Sequence, residues 1–202
     1  MTTRGVCKLL ETLNPHKAIG PDGLHPCVLK ELAPDIAPIL QLIFQKSLIS
    51  GLVPTDWKRA NVSPIFKKGK RDDPANYRPV SLTCICSKLL EHIVTKHLLS
   101  HLEQYNILYD LQHGFRSKRS TETQLLAFTQ DVLKNLGSGK QTDVIIMDFA
   151  KAFDKVSHWR LVIKLINYGI TGTLNKNGSR IFSTRGSREL SAMGSTQSGH
   201  RY

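Results

Sequence analysis

Apolar side chains return at helical spacing through residues 36–48: Ile36, Ile39, Leu40, Ile43, Phe44 and Leu48 share a face, and Gly51 stops the run. The segment VPTDWKRANVSPIFKKGKRDDPANYRPVSL then alternates short apolar runs with Pro, Gly, Asn and Asp, which predicts one or two short strands around a basic turn at residues 67–71. A second helix is expected over about 86–103, with Leu89, Leu90, Ile93, Val94, Leu98 and Leu102 on its apolar face. QHGFRSKRST reads as a basic loop. Thr121 and Gln124 are spaced as a capping box for a third helix, whose buried stripe would be Leu125, Phe128, Val132 and Leu136, with Gly137 at its C-cap. Gly137 and Gly139 turn the chain into a strand at 144–147, and a fourth helix at about 158–168 should face Leu161, Leu165 and Ile166 inward and end at Gly169. The pattern predicts a mixed α/β body with more helix than strand, and no internal repeat.

Beyond Ile170 the texture changes. TGTLNKNGSRIFSTRGSRELSAMGSTQSGHRY is rich in Gly, Ser, Thr and Arg, holds one carboxylate (Glu189) and keeps no apolar period, the composition of a disordered tail. With 202 residues, 40% hydrophobic and 22% charged, the chain has the size and balance of one globular domain or slightly more. No apolar run approaches the ~20 residues of a membrane span, and MTTRGVCKLLETLNPHKA lacks an apolar signal core, so an intracellular location is expected.

Charge alters this ordinary picture. A net charge of +12 favours a polyanionic partner, nucleic acid above all, against the plainer alternative of a solvated basic surface. The four cysteines (Cys7, Cys27, Cys84 and Cys86) form no CxxC, and Cys84 and Cys86 are too close for a typical zinc pair; reduced thiols without disulfide partners are expected. His97 and His101 are spaced like helical metal ligands but have no third ligand near them in sequence, so a surface pair is expected.

The candidate chemistry sits in VIIMDFAKAFDKV, residues 144–156. A β-branched run suits a buried strand, and burying an unpaired carboxylate is costly. Asp148 therefore belongs where such a strand emerges, able either to hold a hard cation such as Mg²⁺ or to cap the following turn. Asp154 fits a structural role, capping the next helix or pairing with Lys155.

This stretch resembles the first catalytic motif of reverse transcriptases from non-LTR, LINE-like and jockey-like retrotransposons. KAIGPDGLHPCVLKEL, GLVPTDWKRANVSPIFKKGKRDDPANYRPVSLTCICSKLLE and LQHGFRSKRSTETQLL match the same family in order and spacing, so the resemblance covers roughly residues 14–170. It implies part of a right-hand polymerase: a helical N-terminal extension at 1–56, fingers at 57–142, the start of the palm at 143–170, and a tail at 171–202. Asp148 matches the first metal-binding aspartate, and the backbone carbonyl of Phe149 would help hold Mg²⁺. Lys67 and Arg78 match positions that contact the incoming triphosphate, for which arginine's planar fork is suited. Phe153 matches the ring that crowds a ribose 2′-hydroxyl; simple core packing is its plainer reading. Lys68, Lys70, Arg71, Arg116, Lys118 and Arg119 would track the template backbone. Gln112, Gly114 and Phe115 match a QxGF turn in which Gly114 relieves backbone crowding and Phe115 packs. The implied partners are an RNA template, a DNA primer and deoxynucleoside triphosphates. The implied reaction is attack of a primer 3′-hydroxyl with two Mg²⁺ ions assisting. The family's chemistry takes place on nuclear DNA, but no decisive import signal is present. Nothing in the pattern fixes an oligomeric state.

The resemblance ends near Gly169. Two metals need further carboxylates, which the family draws from a later Asp-Asp hairpin. The only adjacent pair here, Asp72-Asp73, lies far upstream, and the PQG-containing motif is also missing. A shifted frame would explain this. Residues Gly178 to Ser183 can be encoded by GGA TCA AGG ATT TTC TCA. Read one base earlier, after the T of an Asn177 codon, the same bases give TGG ATC AAG GAT TTT CTC, or Trp-Ile-Lys-Asp-Phe-Leu, which resembles the family's continuation. Three readings follow: a polymerase domain inactive in this form, a non-catalytic nucleic-acid-binding remnant, or a pseudogene product without function.

Overall fold

The computed structural model describes residues 1–149, 152–153 and 155–170. Among them are six α-helices and one two-stranded antiparallel sheet, the mixed and mainly helical body that the periodicity predicts. The chain divides into two compact units, one made of Met1–His97 with the stretch that starts at Ser157, the other of Leu98–Val156.

The core lies in the first unit. Helix α1 (Thr3–Glu11) starts where the Thr2 hydroxyl accepts the Gly5 N–H, and it buries Val6 and Leu10. Helix α2 (Pro26–Glu31) has Pro26 at N1, where the missing N–H costs nothing, and His25 as a side-chain cap. Helix α3 (Ala33–Ser50) buries Ala33, Ala37, Leu40, Phe44 and Ser47, a stripe at intervals of four and three residues, and ends at Gly51 with φ 68°. The expected apolar face was Ile36–Leu48. Five of its six residues hold, Leu40 and Phe44 buried and Ile36, Ile43 and Leu48 packed against the core, while Ile39 is exposed and Ala33, Ala37 and Ser47 join the buried face. Phe44 meets Trp57 edge-on, with ring centroids 5.6 Å apart.

Strands β1 (Ala60–Phe66) and β2 (Tyr77–Thr83) form the hairpin expected around the basic turn, in a register that runs from Ala60↔Thr83 to Phe66↔Tyr77. Pro64 faces Pro79 across the ladder, which a sheet of two edge strands tolerates. Helix α4 (Ile85–Gln104) follows at once and buries Leu89, Leu90 and Ile93 as expected. The IGPDG segment is pressed onto this junction: a Cβ on Gly20 would lie 2.6 Å from Cys84 Cα and 2.7 Å from Cys84 N. Only glycine permits that approach. Helix α6 (His158–Asn167) buries Val162, and its last turn closes with Gly169 at φ 77° and the Ile170 N–H donating to the Leu165 carbonyl. Ile166, expected inward, is exposed.

The second unit contains no buried residue among those described. Helix α5 (Thr121–Gly137) is present, but its capping box is one residue earlier than expected, between Ser120 and Thr123. The hydroxyl of Thr123 closes the box as well as Gln124 could, so two registers were open and the shorter side chain took it. The stripe of Leu125, Phe128, Val132 and Leu136 forms, yet none of the four is buried. The strand expected at 144–147 is absent: residues 141–149 have no regular structure, and Ile145 and Ile146 are 84% and 90% exposed. A β-branched run favours extended backbone, but a strand exists only when a partner satisfies its N–H and C=O groups. No described residue does so here.

Candidate nucleic-acid interface

The β1–β2 hairpin carries the densest positive charge. Lys67, Lys68, Lys70 and Arg71 are all exposed in the loop at residues 67–76, and none forms a salt bridge among the described residues. The loop is nevertheless tightly built. The Lys67 N–H donates to the Asn76 carbonyl at 2.8 Å, carrying the ladder one residue past β1. The Asn76 side-chain amide donates to the Lys70 carbonyl at 2.9 Å, and the Tyr77 hydroxyl donates to the Arg71 carbonyl at 2.7 Å. Asp73 turns one carboxylate oxygen to the Ala75 N–H at 2.9 Å, so that acid caps its own backbone. Gly69 makes the bend at φ 91°, and a Cβ there would lie 2.7 Å from the Asn76 amide nitrogen. Below the loop, the Tyr77 ring packs edge-on against Phe66 at 5.6 Å, and the Arg71 guanidinium lies over the Phe66 ring, 5.4 Å from its centroid.

Alternation along the hairpin sorts these groups. Arg78 pairs with Ile65 in the register, so residues 65, 67, 76 and 78 fall on one face. Lys67 and Arg78, the two residues expected to contact a triphosphate, therefore share that face and both are exposed.

The second unit holds the other expected residues. In the turn before α5, Gln112 donates its side-chain amide to the Gly114 carbonyl at 3.1 Å. Gly114 does not relieve crowding: a Cβ there would meet nothing within 4 Å. The unusual backbone belongs to its neighbour Phe115, at φ 61°, and to Lys118, at φ 59°. Phe115 and Phe153 meet edge-on with centroids 6.1 Å apart, although they are 81% and 78% exposed. Arg116 is turned inward. Its side chain is 16% exposed, it donates to the Tyr109 carbonyl at 3.1 Å, and it lies 3.9 Å from the Asp110 carboxylate. Lys118 is open to solvent and Arg119 half-buried.

Asp148 and Phe149 are exposed on the irregular segment after residue 143. The donor set there does not fit a pair of divalent cations: no group of three or more His, Cys, Asp or Glu that could hold a metal occurs among the described residues. Asp148 and one backbone carbonyl leave most of an octahedral Mg²⁺ shell to water. Asp154 and the tail at 171–202 lie outside the described residues.

None of Cys7, Cys27, Cys84 and Cys86 is in a disulfide. Cys86 is buried at the start of α4, and burial, reinforced by Cys84 and Asp22, pushes its pKa up to about 12. None of this suggests a reactive thiol.

Against this geometry, comparison with known proteins is informative. The family described as "Reverse transcriptase (RNA-dependent DNA polymerase)" matches residues 65–196, more than half of the chain, and the chain belongs to that family. Within it, the similarity is to enzymes of non-LTR mobile elements. The chain is 31% identical over 161 residues to the probable RNA-directed DNA polymerase from transposon BS of Drosophila melanogaster, covering 79% of this chain and 18% of that protein. It is 30% identical over 165 residues to the RNA-directed DNA polymerase from the mobile element jockey of the same species, covering 81% and 18%. The Pol polyprotein from retrotransposable element R2 of Popillia japonica is 31% identical over 132 residues, covering 65% and 18%. The chain thus spans about one-fifth of the length of these relatives.

Asn76 and Tyr77 carry no signal of their own in the sequence. They stand inside the quoted PANYRPVSL, and only the folded loop shows that both reach back to the basic run.

Proposed function

We propose that this chain is the fingers (57–142) and the first part of the palm (143–170) of a non-LTR retrotransposon's RNA-directed DNA polymerase, preceded by a helical extension at 1–56. The family match over residues 65–196 carries this reading. Lys67 and Arg78 hold the triphosphate of an incoming deoxynucleotide. Lys68, Lys70, Arg71, Lys118, Arg119 and Arg116 hold nucleic-acid phosphates, Arg116 after turning out of its contact with Tyr109. Phe153 crowds a ribose 2′-hydroxyl, and Asp148 with the Phe149 carbonyl is the remaining part of a metal site.

The lone Asp148 favours a second element of the reading: by itself this chain binds RNA or an RNA–DNA hybrid without extending a primer. The test uses a primed RNA template, deoxynucleotides and Mg²⁺. No templated extension is expected, while binding to the same template weakens steeply with salt. Extension that disappears in Asp148→Ala overturns the inactive reading. Absence of binding at low salt overturns the binding reading. Failure to recover any folded protein from cells that carry the gene leaves the pseudogene.

The frame break near Asn177 is tested on the coding DNA. The family match runs on to residue 196, past that point, so the break rests on the codon argument alone. If neither alternative frame restores a palm sequence downstream of Ile170, it fails.

A further inference from the structure

A basic loop with four exposed cations loses much of its attraction for a polyphosphate chain if its shape fluctuates. Each side chain must then be ordered again on binding. In this hairpin the ordering is already present, and two residues without charge supply it. Asn76 ties the Lys70 carbonyl, Tyr77 ties the Arg71 carbonyl, and both stand on the returning arm. Arg71 is fixed at both ends, its main chain by the Tyr77 hydroxyl and its guanidinium by the Phe66 ring. Gly69 has no side chain, and a Cβ there would overlap the Asn76 amide, so the bend leaves room for that tie. Both side chains are half-buried while the four cations are exposed, so what is held is the backbone and what is presented is charge.

We propose that Asn76 and Tyr77 are positioning residues of the nucleic-acid site: they strap the loop at 67–76 into one shape, from which Lys68, Lys70 and Arg71 meet nucleic-acid phosphates and Lys67 the triphosphate. This rests on the reading of the four cations as phosphate contacts, and it goes beyond it by assigning a function to two uncharged groups that touch no phosphate themselves.

The test measures binding of the full chain to a fluorescent single-stranded RNA across a series of salt concentrations. The variants are Tyr77→Phe, which deletes only the hydroxyl and keeps the ring on Phe66, and Asn76→Ala. Each is made in the natural background and in one with Lys67, Lys68, Lys70 and Arg71 all changed to Ala. The four-cation variant should reduce the salt slope by roughly 2, about 0.7 for each of the three RNA phosphate contacts of Lys68, Lys70 and Arg71. Tyr77→Phe and Asn76→Ala should each weaken binding roughly fivefold in the natural background, the loss expected for one hydrogen bond's worth of order. Neither should have any effect once the four cations are gone. A thermal melt unchanged by either substitution would show that the core is intact. If the four-cation variant binds weakly but the two single variants bind like the natural chain, or weaken both backgrounds equally, the positioning role is overturned and the phosphate reading stands. If the four-cation variant binds like the natural chain, the phosphate reading falls and the positioning role falls with it.

Discussion

Two glycines from motifs that mark this family, Gly20 in IGPDG and Gly114 in QHGF, look equally important as letters, and the structure gives them opposite burdens. Gly20 lies against the chain where β2 passes into α4. An added Cβ would stand 2.6 Å from Cys84 Cα, 2.7 Å from Cys84 N and 2.9 Å from Thr83 C. All three are backbone atoms, and no rotamer change can move them aside. Cys84 and Ile85 beside this contact are core residues, so backing the loop away would open the edge of the core. Overpacking of this kind costs about 1–3 kcal/mol, and the rigid neighbours put Gly20→Ala at the upper end. At Gly114 a Cβ meets nothing within 4 Å and no left-handed φ applies, so Gly114→Ala should be neutral, or stabilising by about 0.4–1 kcal/mol through the unfolded chain. Urea unfolding followed by tryptophan fluorescence and far-ultraviolet circular dichroism reads both, since Trp57 packs in the same core as Cys84 and the helical signal includes α5, which follows Gly114 in the second unit. Gly20→Ala should lower the midpoint with an unchanged slope, and Gly114→Ala should not lower it. Equal losses in the two variants would refute the assignment of close packing to Gly20 alone. A Gly114→Ala chain that folds normally but binds RNA less tightly would mean that the turn's glycine serves a ligand and not the fold.

Phe44 is fully buried against Trp57, so Phe44→Ala should cost about 3–5 kcal/mol in urea unfolding, whereas truncating the exposed Phe115 should cost well under 1 kcal/mol. Removing the Ser120 hydroxyl that caps α5, in Ser120→Ala, should cost about 1 kcal/mol of local stability, read as faster amide hydrogen exchange in the first turn of that helix. Gly69→Ala forces a side chain into a left-handed bend and onto Asn76, so it should lower RNA affinity at low salt and leave the Phe44 core intact, checked by fluorescence. Cys86 holds its proton up to about pH 12 when folded, against an ordinary value of 9.0. The unfolded chain therefore releases that proton first, and stability from this group is intact below pH 9 and falls between 9 and 12 by up to about 1.4 kcal/mol per pH unit. The difference between the natural chain and Cys86→Ala, measured across that range, isolates it.

The elements that could be read from sequence are those whose causes are local. Gly51 and Gly169 end helices because each takes a left-handed φ, and both ends stand where the letters put them. The hairpin around the basic turn was legible for a similar reason: apolar runs flanked by Pro, Gly and Asp leave the chain little else to do. Of the site, the run at 67–71 was visible as charge, but the geometry that makes it one surface was not. A tyrosine hydroxyl or an asparagine amide looks the same in sequence whether it faces water or a carbonyl six residues back.

Burial is where the sequence reading failed, and the failures cluster in residues 98–156. Periodicity states that a face exists and leaves open what covers it. The stripe on α5 and the run Val144-Ile145-Ile146-Met147 both have the composition of interior surface, and neither has a neighbour to enclose it among the described residues. Exposed apolar area on this scale costs free energy at about 25 cal/mol per Å², and a patch of it ordinarily marks a surface that something else covers. The same absence explains the state of Asp148. A carboxylate is held in place for metal binding when a paired strand fixes its backbone and other acids converge on it. Without the pairing the strand does not form, and without the strand the aspartate is one more exposed acid on an irregular segment. On the proposed reading, pairing of that strand and holding of a metal are thus one requirement. A carboxylate added near Asp148 by substitution should therefore leave Mg²⁺ affinity unchanged, as read by titration calorimetry, unless the backbone at residues 144–149 also gains a strand to pair with.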